Sequence, residues 1–110
     1  MARVSVDEFE ARIVSFCSAS PVVANIVQRV GLTWCSIRAY LVDASFVEAF
    51  YNQETGKMSF AHIRNEMRVF AADNRGGWHW HPIDDVARHV SSDHEITFEE
   101  FFREVGKRVE

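Results

Sequence analysis

Two histidines separated by a single residue, His79 and His81, are the side chains in this sequence best suited to catalysis. In an extended segment, residues two apart share a face, so both imidazoles lie on one side and Trp78 and Trp80 lie on the other. Imidazoles change protonation near neutral pH, and a pair can act as general base and general acid. Asp73 stands upstream, where its carboxylate can orient a histidine or simply end a strand. We therefore predict a catalytic set of His79, His81 and Asp73.

A transition metal is the main chemical alternative at this pair. Asp73 or Asp84 would be the third ligand, since a metal site needs about three protein ligands. No HxxxH pair and no cysteine partner supports such a site, so we expect no metal and no other cofactor. The simplest alternative is structural, with two partly exposed histidines that only hydrogen-bond a loop.

Positive charge gathers around the same segment, although the net charge of the chain is −4. Over 57–81 the basic residues outnumber the acidic ones, so an anionic ligand would most readily meet the chain there. Arg75 precedes two glycines, and its guanidinium can hold a phosphate through two hydrogen bonds. The other candidates for substrate binding are His62, Arg64, Arg68 and Asn74. This arginine–glycine run matches no known phosphate motif, and a solvated strand surface would carry similar charges.

The size and composition of the chain limit the classes of function. The 110 residues correspond to a single domain, 1–110, and the acidic net charge argues against a general nucleic-acid binder. The two cysteines, Cys17 and Cys35, are too few for a disulfide framework, and we interpret them as core residues. No apolar run suits a membrane span, and the first residues do not resemble a signal peptide. We therefore expect a cytoplasmic protein without membrane contact.

The residue pattern predicts an α+β fold with two N-terminal helices and one C-terminal helix. Ser5 and Thr97, each with a glutamate three residues later, form capping boxes that start a first helix over 6–18 and the last helix. A second helix is predicted from Ser20-Pro21, an N-cap followed by proline in the first turn. Gly31 would end that helix in a left-handed cap.

An antiparallel meander of four to five strands is predicted between these helices. Residues with β-branched or aromatic side chains dominate the strands, and short turns join them. The predicted strands cover 32–42, 45–52, 57–64 and 67–73. Residues 83–95 are polar and are expected to be irregular. The last helix should then lie across one face of the sheet.

The run from 36 to 105 contains four short motifs, Asp43-Ala44-Ser45-Phe46, Ser59-Phe60-Ala61-His62, Asp73-Asn74, and the histidines 79 and 81 ahead of the last helix. In these motifs the run resembles small prokaryotic proteins related to TumE-like toxins. Relatives have a glycine after the aspartate, whereas this chain has Ala44. Relatives also tend to have two adjacent histidines, whereas Trp80 separates His79 and His81 here. The resemblance implies a compact α+β fold, a role in a toxin–antitoxin or defence system, and activity on RNA.

These features favour metal-independent cleavage of a phosphodiester in RNA or in a small cyclic oligoribonucleotide. One histidine would take the proton of a ribose 2′-hydroxyl and the other would protonate the leaving 5′-oxygen, giving a 2′,3′-cyclic phosphate. Arg75 would stabilise the charged phosphorane. The alternative is a non-enzymatic module that binds a ligand or an antitoxin protein. The aromatic content and the sheet edges also predict a homodimer, which a monomer mass in light scattering would contradict.

Overall fold

A computed structural model describes residues 4–82, 85 and 87–109 of the chain. The chain forms an α+β fold in which two helices flank a seven-stranded antiparallel sheet. In chain order the elements are α1 (Val6–Ser18), β1 (Val23–Val30), β2 (Trp34–Leu41), β3 (Phe46–Asn52), β4 (Met58–Arg64), β5 (Met67–Asp73), β6 (His79–His81), β7 (Val90–Ser91) and α2 (Phe98–Gly106). Each strand pairs with the next, so the sheet is the predicted meander.

The starts of both helices follow their capping residues. The Ser5 hydroxyl accepts a hydrogen bond from the Glu8 amide, and the Thr97 hydroxyl accepts one from the Glu100 amide, each at 3.1 Å. Each cap satisfies an amide in the first turn, which has no partner within its helix. Among the described residues, no helix combines the length and apolar character needed to cross a membrane.

The predicted second helix is wrong, because strand β1 occupies 23–30 instead. Its valines and isoleucine fit a helical stripe, but β-branched side chains also favour a strand, and pairing with β2 along its whole length decides between them. Gly31 belongs to the β1–β2 connection rather than to a helix cap. A Cβ atom there would lie 2.1 Å from the Trp34 indole nitrogen, so this position needs glycine.

Two further strands extend the sheet beyond the predicted four to five. The histidine segment is strand β6, which pairs with the end of β5, and Val90–Ser91 forms the short strand β7 beside it. Residues 90 and 91 had been expected to be irregular, because two residues are too few to show an alternating pattern. These added strands place the histidine segment inside the sheet, with a neighbour on each side.

Both helices pack on the same face of the sheet and enclose the core. Helix α1 buries Phe9 and Ile13 against the side chains of β2 and β3. Helix α2 buries Phe101, whose ring lies 5.1 Å from that of Phe70 and 5.5 Å from that of Phe60. The opposite face carries no helix in the described part of the chain, and it is this face that receives alternate side chains of β5 and β6.

Phe101→Ala is expected to lower the free energy of unfolding by about 3–5 kcal/mol, because the ring is fully buried among other aromatic rings. Arg103→Ala, on the exposed side of the same helix, is the matched control and should change it by less than about 0.5 kcal/mol. Urea denaturation followed by circular dichroism measures both variants. An unchanged midpoint for Phe101→Ala would mean that α2 is not docked on the sheet.

Candidate functional site

A glycine turn between β5 and β6 brings Asp73 beside the two predicted histidines. Gly76 and Gly77 both have positive φ, 69° and 109°, which favours glycine at these positions. The turn directs the carbonyl of Gly77 toward His79, whose Nδ1 lies 3.0 Å from that oxygen. Asp73 and His79 are then directly opposite each other in the β5–β6 ladder.

The histidines and tryptophans of this segment lie on opposite faces, as their alternation predicts. Trp78 and Trp80 are partly buried against the core on the helix-covered face. His79 and His81 occupy the other face, yet their side chains are only 12% and 5% exposed. The two imidazoles are therefore largely shielded from solvent.

The carboxylate of Asp73 is the centre of the site. Its Oδ2 lies 3.1 Å from Nε2 of His81, and its Oδ1 lies 3.3 Å from Nε2 of His79. Oδ1 also accepts a hydrogen bond of 2.9 Å from the amide of Arg75. One carboxylate thus holds both imidazoles and the first residue of the glycine turn.

His79 has a hydrogen-bond acceptor at each of its nitrogens. Nδ1 faces the carbonyl of Gly77, and Nε2 faces the carboxylate of Asp73. A neutral imidazole has one N–H and can donate to only one of these acceptors. A second proton or a metal ion at Nε2 would satisfy both.

A third imidazole, that of His89, completes the arrangement and was not predicted. Its ring centroid lies 4.4 Å from that of His81 and 4.8 Å from that of His79. Val90 pairs with Trp80, so His89, one residue earlier, comes opposite His81. Asp84, the other carboxylate that we considered as a metal ligand, lies outside the described residues. We refer to Asp73, His79, His81 and His89 as the histidine cluster.

A shallow groove with two cationic side chains lies beside the cluster. Its lining residues are Thr55, Gly56, Lys57, Asn74 and Arg75. The side chain of Asn74 fixes one wall, since it accepts from the amide of Met58 at 3.0 Å and donates to the carbonyl of Gly56 at 2.8 Å. Arg75 is exposed and follows Asp73 by two residues, so its guanidinium is available to an anion at the edge of the cluster.

The remaining predicted substrate-binding residues, His62, Arg64 and Arg68, lie elsewhere. Ser59 is opposite Asp73 in the sheet, and Arg64 is five residues further along β4, about 16 Å away. Arg68 pairs at the same distant end of the β4–β5 hairpin. His62 is fully buried on the helix-covered face, opposite to the face that carries the cluster.

His62 belongs to a second polar network, formed with Asp43, Ser45 and Arg64. Ser45 Oγ lies 2.9 Å from His62 Nε2 and donates to Asp43 Oδ1 at 2.5 Å, while Arg64 donates to Asp43 Oδ2 at 2.7 Å. Burial opposes ionisation of Asp43, but its contacts with Ser45 and Arg64 outweigh burial and lower its pKa to about 2. Burial, aided by the charge of Arg64, lowers the pKa of His62.

The order of groups in this network does not activate a serine nucleophile. The structure places both a histidine and a carboxylate beside the Ser45 hydroxyl. The Ser45 hydroxyl gives its proton to Asp43, so His62 Nε2 is the donor to the serine oxygen. His62 Nδ1 then carries a buried lone pair that finds no hydrogen-bond partner among the described residues. A catalytic triad needs the histidine between the serine and the carboxylate.

The cysteines occupy the core, as predicted. Cys17 and Cys35 are both unpaired and fully buried. Burial raises the pKa of each thiol to about 11, so neither is the reactive thiolate that nucleophilic catalysis requires.

Comparison with known proteins does not assign the chain to a family. No family model, no curated protein and no solved structure matches it. The resemblance to TumE-like toxins over 36–105 therefore stays a prediction. A function for the chain has to be inferred from the geometry of the histidine cluster and the groove beside it.

The buried His62 is expected to make stability depend on pH. The pKa of His62 is lower in the folded chain than the ordinary value of 6.5. The contribution of the neutral ring to the free energy of unfolding is therefore fully present above about pH 6.5. That contribution is lost as the pH falls, because the unfolded chain gains a proton that the folded chain resists. The loss reaches at most about 1.4 kcal/mol per pH unit.

His62→Gln tests this, since glutamine retains a donor for Ser45 but does not titrate. Between about pH 7.5 and about pH 5, the unfolding free energy of the parent should fall more steeply than that of the variant. His94 has a raised pKa from its contacts with Asp93 and Glu100, but it is common to both proteins and cancels in the comparison. Parallel curves would contradict the buried, neutral assignment of His62.

Proposed function

We propose that the chain is a metal-independent phosphodiesterase that cleaves RNA or small cyclic oligoribonucleotides in a toxin–antitoxin or defence system. The observation that carries this proposal is the Asp73 carboxylate between two imidazole nitrogens, at 3.1 and 3.3 Å. The defence setting comes from the resemblance to TumE-like toxins alone. The chemistry comes from the residues of the cluster.

Cleavage of a ribonucleotide needs two proton transfers at one phosphate. One histidine of the pair, His79 or His81, takes the proton of the 2′-hydroxyl, and the 2′-oxygen forms a bond to phosphorus. The bond from phosphorus to the 5′-oxygen breaks, and the other histidine protonates that oxygen. The products are a 2′,3′-cyclic phosphate and a free 5′-hydroxyl. Asp73 faces Nε2 of both rings and stabilises whichever ring is an imidazolium. His79 also faces the Gly77 carbonyl through Nδ1, so it has to exchange its contact with Asp73 for the substrate oxygen before it can transfer a proton.

The groove beside the cluster supplies the positive charge that this reaction requires. Arg75 is exposed at its edge, and Lys57 lines it. Charge builds up on the phosphate oxygens as the phosphorane forms, and a guanidinium can stabilise two of these oxygens at once. The groove is short and the chain is acidic, so a small cyclic oligoribonucleotide suits it better than a long RNA.

A binding module without catalytic activity is the second candidate, and the helix-free face of the sheet favours it. The rings of Tyr40 and Phe46 contact each other there at 5.5 Å between centroids, tilted by 49°, and the Arg38 guanidinium lies 4.3 Å from the centroid of the Phe46 ring. Aromatic and arginine side chains are enriched in protein interfaces. An antitoxin protein or a second copy of the chain could bind this face.

Incubation with linear RNAs and cyclic oligoribonucleotides, with and without a chelator, distinguishes these candidates. From linear RNA, mass spectrometry should detect a product that is one water lighter than a linear 3′-phosphate, in equal amounts under both conditions. A cyclic oligoribonucleotide opens to a product of the same mass as the ring, so chromatography must separate the two before mass spectrometry. His79→Ala and His81→Gln should each lower turnover by about 10²–10⁴-fold. Arg75→Ala should also lower it, and Arg75→Lys should not fully restore it, because the two-pronged guanidinium is lost.

The controls are His94→Ala and Arg103→Ala, which remove an exposed histidine and an exposed arginine away from the cluster. Both should retain the parent turnover, and melting temperatures should establish that all variants fold. Full activity in both cluster variants would exclude the proposed acid–base pair. Tight retention of a ligand without any product would favour the binding module.

A further inference from the structure

We infer that His79, His81 and His89 form a binding site for a divalent transition-metal ion such as Zn²⁺. The candidate ligand nitrogens of the three histidines all lie within 4.8 Å of one another. A tetrahedral zinc site holds each imidazole nitrogen at about 2.0–2.1 Å, which separates the nitrogens by roughly 3.4 Å. The three nitrogens therefore have to come closer together to bind the ion. His89 is the exposed member of the set and can supply that movement.

The third imidazole removes the main objection to a metal at this place. His79 and His81 alone supply two protein ligands, fewer than metal sites usually need. Strand β7 brings His89 opposite His81 and within 4.4 Å of its ring, from a segment eight residues further along the chain. An open zinc site has three protein ligands and a fourth coordination position that is free for water or substrate. Three imidazoles around a common point supply that donor set.

The surroundings of His79 suit a metal ligand. Histidines that bind metals usually donate their other N–H to a carbonyl or a carboxylate, which fixes the tautomer and the ring orientation. The carbonyl of Gly77, at 3.0 Å from Nδ1, is such an acceptor and leaves the lone pair on Nε2. That lone pair faces the Asp73 Oδ1 atom at 3.3 Å. Both atoms are electron-rich, and a cation placed near them would attract both.

The charge of the site also favours a divalent ion. Three neutral imidazoles leave both positive charges of the metal uncompensated, and Asp73 supplies a carboxylate against two of the three rings. Imidazole nitrogen suits Zn²⁺, Cu²⁺ and Ni²⁺, whereas Mg²⁺ and Ca²⁺ prefer oxygen ligands. A metal ion and a transferable proton would need the same lone pairs, so a bound ion should inhibit the metal-independent cleavage proposed above.

Titration of chelator-treated protein with Zn²⁺ tests the site without any substrate. Calorimetry should give one ion per chain, and replacement by Co²⁺ should give the visible absorption of a low-coordinate cobalt site. His89→Ala should weaken Zn²⁺ binding by at least about 10–100-fold, since loss of a supporting residue alone typically costs that much. His89 is exposed and outside a strand, so this variant is expected to keep the parent melting temperature.

His94→Ala is the matched control, because His94 is another exposed histidine with nearby carboxylates, Asp93 and Glu100. Unchanged affinity in this control, together with a loss in His89→Ala, supports the site. Equal affinity of His89→Ala and the parent would overturn it, as would a loss in His94→Ala alone or the absence of saturable binding.

The outcome for the metal site is separable from the outcome for the proposed function. Binding is measured in the absence of ribonucleotide, so a chain that cleaves nothing can still support the site. Activity that disappears with a chelator and returns with Zn²⁺ would overturn metal-independent cleavage while retaining the three-histidine site. Activity that a chelator leaves intact and Zn²⁺ inhibits would agree with both.

Discussion

The Asp73 carboxylate is the contact on which the candidate site depends. It faces two imidazole nitrogens and accepts the backbone amide of Arg75, so it joins the end of β5 to the glycine turn and to β6. The two histidine contacts require the β5–β6 register that sets Asp73 directly opposite His79. A shift by one residue would turn both histidines toward the core and Trp80 toward the helix-free face.

The two faces of the sheet have different roles, since one packs the core that stabilises the fold and the other carries the candidate site. One face is covered by α1 and α2 and holds the aromatic core, including the stacked rings of Phe70 and Phe101. The other face leaves room for the histidine cluster. His62 illustrates the contrast, because the same side-chain type on the covered face is fully buried and bonded to Ser45. Burial makes His62 a structural residue, whereas the cluster is open to a ligand on the side of the exposed His89.

The sequence predicts those features that depend on neighbouring residues. The helix starts at Ser5 and Thr97 are local hydrogen bonds, and the opposite orientation of histidines and tryptophans follows from the period of an extended chain. Strand β1 could not be distinguished from a helix, because its apolar residues fit both periods and only pairing with β2 decides. His89 was missed for a related reason, since a two-residue strand sets its position through a long-range register.

The most direct test of the central role of Asp73 is nitrogen-15 NMR of the histidine rings in metal-free protein, with the parent compared to Asp73→Asn. Asparagine has nearly the same shape but lacks the charge and one acceptor oxygen. The ring-nitrogen signals of His79 and His81 should shift strongly in the variant, while those of His62 and His94 stay in place. Unchanged signals for His79 and His81 would contradict a carboxylate-centred histidine cluster.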